Sequence, residues 1–296
     1  MRGKGKLKEK LYEAQHNNSV ASGIGSDLLL CPICLQETPF NDATLEHVPP
    51  ESIGGREILL TCKPCNNRLG AKYDSHVARK IRFDGFGEAL FKNGQFHERD
   101  VVTLELGESR MLAQIKRDPE EPDRIAFKVI GKNSNPVDVA SFRQQTKDYK
   151  HGRDEPLKIN MTASREASFI HKNVDLSWVK STYLACCALF GYSYAMSPSL
   201  ETIRAFLAGQ SDQLPICKVI REPVVSDHRF IMHAQDLGLM LVKYEAVSVF
   251  LPCHKSSVDR FYESLEELIS GARVNSEATF YEWPERFGQG LFWEVK

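Results

Sequence analysis

The spacing of apolar residues predicts two helices early in the chain. Residues 5–16 place apolar side chains on one side of a short basic helix, and the polar, glycine-bearing stretch 16–27 predicts a loop or linker. Residues 66–81 carry apolar side chains four positions apart, the spacing of one buried stripe on a helix. The members of this stripe are Leu69, Tyr73, Val77 and Ile81.

The rest of the chain alternates between strand-like and helical patterns. Runs of β-branched and apolar residues predict a small meander at 100–106, 109–115 and 124–130, and three more strands between 228 and 252. Helical patterns cover 137–149, 175–195, 199–209 and 256–269, and two short aromatic strands complete the chain.

This mixture of separate helices and strands predicts an α+β fold rather than a doubly wound sheet. We expect three regions: a basic N-terminal arm or linker over 1–27, a Cys-, Pro- and Gly-rich module over 28–92, and an α+β region of unknown function over 93–296.

Composition is that of a globular protein. Apolar residues make up 42% of the 296 positions, and the formal net charge is −1, although residues 1–10 carry five basic side chains against one acid. That N-terminus lacks the apolar core of a secretory signal, and the longest apolar runs are shorter than a membrane span of roughly 20 residues. We expect a cytoplasmic protein without a membrane partner, whose cysteines are metal ligands or core thiols rather than disulfides.

Four of the eight cysteines form two C-x2-C pairs. Cys31 and Cys34 flank one tight turn, and Cys62 and Cys65 flank another, so that four sulfurs are available to one ion. A closed set of four thiolates predicts a structural zinc site with no open position for chemistry. The other four cysteines lie near or within apolar runs and are expected to be buried and inert.

Chemistry-bearing residues lie between and directly after these pairs. Glu46 and His47 precede two prolines, and Asn66 follows the last zinc cysteine. Zinc would therefore bring Asn66 and its helix to the hairpin that carries Glu46 and His47, in a ββα-metal arrangement. Adjacent side chains on a regular strand point to opposite faces, so we expect either a bulge at this pair or an ion and a water on either side of the strand end.

The order "CPIC … EHVPP … GG … LTCKPCNNRLG" resembles the HNH endonuclease superfamily, especially its treble-clef members with four zinc cysteines. The resemblance covers about residues 28–82. Within the superfamily, this order of motifs is similar to that of a branch found in bacterial and phage genomes. It implies that His47 is the general base, whereas the alternative for a lone histidine is a surface imidazole.

The resemblance also implies a second metal. A hard ion such as Mg²⁺ or Mn²⁺ prefers oxygen ligands and keeps several waters, which suits the Glu46 carboxylate and the Asn66 amide oxygen. Asn67 is the reserve ligand. Asp74 is expected to orient the helix, to bond to a group that holds the ion or to position the DNA strand, and His76 is expected to be solvated rather than a ligand.

The sequence departs from the family pattern at three places. Arg56 and Glu57 occupy the position where many HNH proteins have a bracing asparagine, Gly70 lies where some have a histidine, and Glu46 replaces a more frequent aspartate or histidine. The second departure implies water in place of a third protein ligand.

We therefore expect a metal-dependent DNA endonuclease, with RNA left open as substrate, in a bacterial defence, phage or mobile-element setting. A homodimer or a partner defence protein is compatible with this expectation. The alternative is a zinc-stabilised binding module without cleavage activity. Basic residues near the site would contact phosphates or else form a solvated helix face. They are Arg56, Lys63, Arg68, Lys72, Arg79, Lys80 and Arg82.

Overall fold

The computed structural model describes residues 2–88, 101–106, 108–117, 125–130, 136–150, 160–162, 170–221, 228–253, 258–270 and 277–288. These residues form two compact units. The first contains residues 1–78 and 169–296, and the second contains residues 79–168. The α+β prediction is confirmed, and the ββα segment with its cysteine cluster precedes a mixed C-terminal region.

The N-terminal part of the first unit consists of a long helix, two short hairpins and a second helix. Its elements are α1 (Arg2–Ala21), β1 (Leu29–Leu30), β2 (Glu37–Thr38), β3 (Ala43–Val48), β4 (Arg56–Cys62) and α2 (Lys63–Leu69), followed by a π-helical turn (Gly70–Asp74) and α3 (Ser75–Glu88). The pairs β1–β2 and β3–β4 are both antiparallel. The predicted helix at 66–81 is therefore confirmed, with a wider π turn at its middle.

The second unit contains an antiparallel sheet of four strands in the order β7-β6-β5-β8. Its elements beyond the end of α3 are β5 (Val101–Leu106), β6 (Ser109–Arg117), β7 (Ile125–Val129), α4 (Pro136–Lys150) and β8 (Asn160–Thr162). The predicted meander and the predicted helix at 137–149 are both confirmed.

The C-terminal part of the first unit combines a buried helix with a five-stranded antiparallel sheet in the order β13-β10-β11-β12-β9. Its elements are α5 (His171–Phe190), α6 (Tyr192–Ala195), α7 (Glu201–Ala208), β9 (Lys218–Arg221), β10 (Phe230–Ala234), β11 (Leu239–Lys243), β12 (Val247–Pro252), α8 (Val258–Ile269) and β13 (Ala278–Glu282). The strand β13 is one of the two predicted aromatic strands, and the other lies outside the described residues.

The helix α5 lies at the centre of the main hydrophobic core. From Tyr183 to Phe190 its side chains are all buried, and the same core includes residues of α1, β4 and β12. This apolar core is the dominant favourable contribution to the stability of the first unit. No helix in the described part of the chain has the length and apolar character needed to cross a bilayer.

Two expectations about the N-terminal region need correction. The predicted helix at 5–16 extends over Arg2–Ala21, and it packs on the hairpin instead of forming a free arm, because Leu11 is buried in the main core and Gln15 bonds to the backbone of β4. The predicted loop therefore begins only after Ala21.

The predicted domain limits also differ from the compact units. The limits of the compact units are 78/79 and 168/169, whereas the predicted limit at 92 lies outside the described residues. Residues 169–296 belong to the same unit as the zinc-cysteine module, because α5 packs against the π turn and the hairpin.

Candidate active site

The four predicted zinc cysteines converge. Their sulfurs all lie within 4.8 Å of one another, and the Sγ atoms of Cys34 and Cys62 are 3.7 Å apart. Four sulfurs at about 2.3 Å from a tetrahedral zinc would be about 3.8 Å apart, so this cluster fits the ion. Hydrogen bonding to Cys31 lowers the pKa of Cys34 and of Cys62, the latter to about 7. Burial raises the pKa of Cys31. Hydrogen bonding to Cys31 acts to lower the pKa of Cys65, but hydrogen bonding to Cys34 and Cys62 outweighs it and raises that pKa.

Local backbone geometry positions these sulfurs. The first pair lies in the turn between β1 and β2, where the backbone N–H of Leu35 donates to the Cys31 carbonyl at 2.8 Å. Cys62 ends β4 and occupies the position before α2, and Cys65 lies in the first turn of that helix. The cluster therefore joins the β1–β2 turn, the β3–β4 hairpin and the start of α2.

The hairpin β3–β4 carries the predicted irregularity at the expected place. Its register shifts between Glu46 and His47, with Glu46 opposite Leu59 and His47 opposite Glu57. The bulge does not bring the two side chains to common partners. The side chains of Glu46 and His47 instead contact different groups.

His47 lies on the accessible side of the hairpin. Its side chain is 27% exposed, and its Nε2 is 3.5 Å from the Glu57 carboxylate. Glu57 also accepts a hydrogen bond of 2.7 Å from Lys4 of α1. Glu57, at one of the positions where the sequence departs from the family pattern, is thus an acid close to the imidazole.

Glu46 points into the protein. It is 2% exposed, its Oε2 accepts from Thr61, and its Oε1 is 2.7 Å from Lys180 of α5. The same ammonium lies 2.5 Å from Asp74, which also accepts from Ser177 at 2.6 Å. Burial raises the pKa of Glu46, and the nearby Lys180 opposes that shift.

Asn66 connects the start of α2 to β3. Its Nδ2 donates to the Thr44 hydroxyl and to the Leu45 carbonyl, both at 3.0 Å. Thr44 in turn pairs with Thr61, the residue that bonds to Glu46, so Asn66 and Glu46 lie on the same polar face of the hairpin. Both hydrogen bonds use the amide nitrogen of Asn66 as the donor to β3. Glu46 offers the carboxylate oxygens that a hard ion prefers, but its Oε1 is paired with Lys180.

The loop after His47 is closely packed. A Cβ at Gly55 would lie 1.4 Å from the carbonyl oxygen of Pro49, so only glycine fits there. Arg229 donates to the carbonyls of Ile53 and Gly54 from the C-terminal region. These contacts brace the loop that follows the candidate base.

Residues 31–82 match the family model described as HNH endonuclease. The match covers 52 residues, under a fifth of the chain, and shows what this segment is similar to. The matched segment contains the four converging cysteines, the bulged hairpin and the helix start, which together form the HNH module. No curated protein and no solved structure matches the chain.

The reserve residues of the HNH module lie in different surroundings. Asn67 is exposed and lines an open cavity of about 890 Å³ beside the zinc cysteines. His76 accepts a hydrogen bond from the backbone of Ile170 through its Nδ1, so it is bonded rather than merely solvated. Asp74 bonds to Lys180 and Ser177.

The basic residues of the HNH module divide into several groups. Arg56, Lys63, Lys72 and Arg79 are exposed, and Lys80 is half-buried. Arg68 is instead turned into the protein, where it donates to the Leu207 carbonyl at the end of α7, and it is therefore a poor candidate for a phosphate contact. The side chain of Arg82 lies outside the described residues.

Sequence reasoning did not single out Lys180, which lies outside the HNH module. The available signal was a lysine inside an otherwise apolar helical run, "SWVKSTYLACCALF". A fully buried lysine is rare unless it is paired, so its position within that run indicated an acidic partner elsewhere in the chain.

Proposed function

We propose that this chain is a metal-dependent endonuclease that hydrolyses DNA phosphodiester bonds. The observation that carries the proposal is the HNH module itself, with His47 accessible at the bulge and Asn66 held on the hairpin by its two donated hydrogen bonds. A bacterial defence or mobile-element setting and a cytoplasmic location belong to the proposal, as does action without membrane contact.

Each site residue has a defined part in this proposal. His47 takes the proton from the attacking water, and Glu57 orients its imidazole from 3.5 Å. Glu46 and Asn66 supply the oxygen ligands for Mg²⁺ or Mn²⁺. When bound, such an ion polarises the phosphate and stabilises the leaving oxygen. The exposed Arg56, Lys63 and Lys72 are available for backbone phosphates.

The test is plasmid nicking by purified, zinc-loaded chain in Mg²⁺ or Mn²⁺, with and without mild chelation, alongside the same assay on RNA. We expect DNA cleavage that stops on chelation and returns with the added ion. His47→Ala should reduce the rate by about 10²–10⁴, the usual contribution of a general base. His76→Ala is the matched control, because it removes a half-buried histidine of the same module that lies away from the bulge.

The second candidate function is a zinc-stabilised nucleic-acid or protein binding module that does not cut. The observation that favours it is the ion pair between Glu46 and Lys180, which occupies the carboxylate assigned to the catalytic ion. Absence of cleavage from wild-type chain in both ions and on both substrates, with DNA binding retained, would favour this candidate. Cleavage at the wild-type rate by His47→Ala would instead show that the general base is misassigned.

A further inference from the structure

The ammonium group of Lys180 is paired with two carboxylates of the HNH module. The Nζ of Lys180 lies 2.7 Å from Glu46 and 2.5 Å from Asp74, and the side chain is 0% exposed. Lys180 belongs to α5, outside the matched segment, and its two acidic partners come from the strand β3 and the π turn. The ammonium therefore links β3, which carries Glu46, to the π turn that follows α2, the helix that carries Asn66.

The charges of this cluster explain why the lysine is stable there. The buried ammonium of Lys180 faces the carboxylates of Glu46 and Asp74, both within hydrogen-bond distance. Hydrogen bonds from Thr61 to Glu46 and from Ser177 to Asp74 satisfy the other carboxylate oxygens. A buried charge with all its partners in place is a stable arrangement, whereas a missing partner is costly.

The same cluster is unfavourable for a second cation. A divalent ion on Glu46 would share its carboxylate with the ammonium and would be repelled by it at short range within a buried site. Asp74, the other acid of this cluster, is also paired with the ammonium.

We propose that Lys180 is the resident counter-ion of Glu46 and Asp74, and that a divalent ion binds Glu46 only by displacing it. This inference rests on the proposed function, because it takes Glu46 as the ligand of the catalytic ion. Lys180 is then a positioning residue through which α5 sets the divalent-ion affinity of the HNH module.

The experiment measures binding of Mn²⁺ alone to the full, zinc-loaded chain by the loss of the free-ion electron paramagnetic resonance signal. Lys180→Gln removes the charge but keeps a donor for the two carboxylates. We expect this variant to bind one Mn²⁺ per chain about tenfold or more tightly than wild type, because the repulsion is gone. The double variant Glu46→Gln/Lys180→Gln should lose that site. Lys172→Gln, an exposed lysine on the same helix, should bind as wild type does.

A folded Lys180→Gln variant with unchanged Mn²⁺ affinity would overturn the proposal and leave Lys180 a purely structural residue. A second measurement covers the case in which the variant does not fold. Lysine acylation of wild-type chain, read by mass spectrometry, should leave Lys180 protected without Mn²⁺ and label it as Mn²⁺ saturates, while Lys172 is labelled throughout. Continued protection at the highest Mn²⁺ concentration that keeps the chain folded contradicts displacement.

Neither readout depends on cleavage. If Lys180→Gln gains the Mn²⁺ site and no variant cuts nucleic acid, the nuclease proposal fails and the counter-ion proposal stands. If wild-type chain cuts DNA and the Mn²⁺ affinity of Lys180→Gln is unchanged, the reverse holds.

Discussion

Gln15 illustrates how one side chain can protect a strand edge. Its Oε1 accepts from the backbone N–H of Leu60 at 2.5 Å, and its Nε2 donates to the carbonyl of the same residue at 3.1 Å. Both strands of the two-stranded hairpin are edge strands, with unpaired backbone groups on one side. Because Gln15 is fully buried, no water replaces its amide, and the bonds tie α1 to the strand that leads into the second zinc pair.

We therefore expect Gln15→Ala to destabilise the first unit by about 1–3 kcal/mol, the cost of leaving buried backbone groups without partners. Urea denaturation followed by circular dichroism would measure the change. The control is Asn17→Ala, an exposed position on the same helix, which should stay within about 0.5 kcal/mol of wild type. Equal midpoints for the two variants would mean that α1 is not needed to hold this edge.

At the scale of elements, the zinc cluster joins pieces that are too short to be stable alone. The strands β1 and β2 have two residues each, and an isolated hairpin such as β3–β4 is marginal in water. Cys62 and Cys65 fix the end of this hairpin to the start of α2, so zinc binding contributes folding free energy to the HNH module.

The double variant Cys62→Ser/Cys65→Ser should therefore lose zinc and unfold the HNH module. Elemental analysis would report the metal, and limited proteolysis with mass spectrometry would report cleavage within residues 31–82. The control is Cys217→Ser, a half-buried thiol outside the cluster, which should retain one zinc per chain. Zinc retained at one per chain by the double variant would refute the four-cysteine site.

The local sequence pattern predicted where these elements lie. It did not predict which residues from distant parts of the chain contact them. Leu69, Tyr73 and Val77 are buried as the four-residue spacing required, whereas Ile81 is 37% exposed because the stripe leaves the core there. The paired cysteines predicted the cluster because zinc geometry constrains spacing. The contact between Asp74 and Lys180 spans 106 positions, and no periodicity encodes a partner that only tertiary packing brings near. The π turn likewise shifts Asp74 from the place that regular helical geometry gives it.

At the scale of the whole molecule, the core around α5 contains many ionisable groups held neutral. Tyr183, Tyr194 and Tyr244 are fully buried, and burial raises the pKa of each. Burial also raises the pKa of Cys187 and of Cys253 to about 12, from the ordinary 9.0. Each of these groups keeps its proton in the folded chain at a pH where the unfolded chain has lost it.

Alkaline pH should consequently destabilise the first unit. Because the folded state binds more protons, the free energy of unfolding falls as pH rises above 9 through the cysteine window to about 12, and tyrosines add to the fall above 10. Urea unfolding at pH 8, 9, 10 and 11 would measure the slope, which reaches about 1.4 kcal/mol per pH unit for each fully displaced proton. Cys253→Ala should show a shallower decline than wild type, and a stability that stays constant from pH 9 to 11 would contradict the neutral, buried state of these groups.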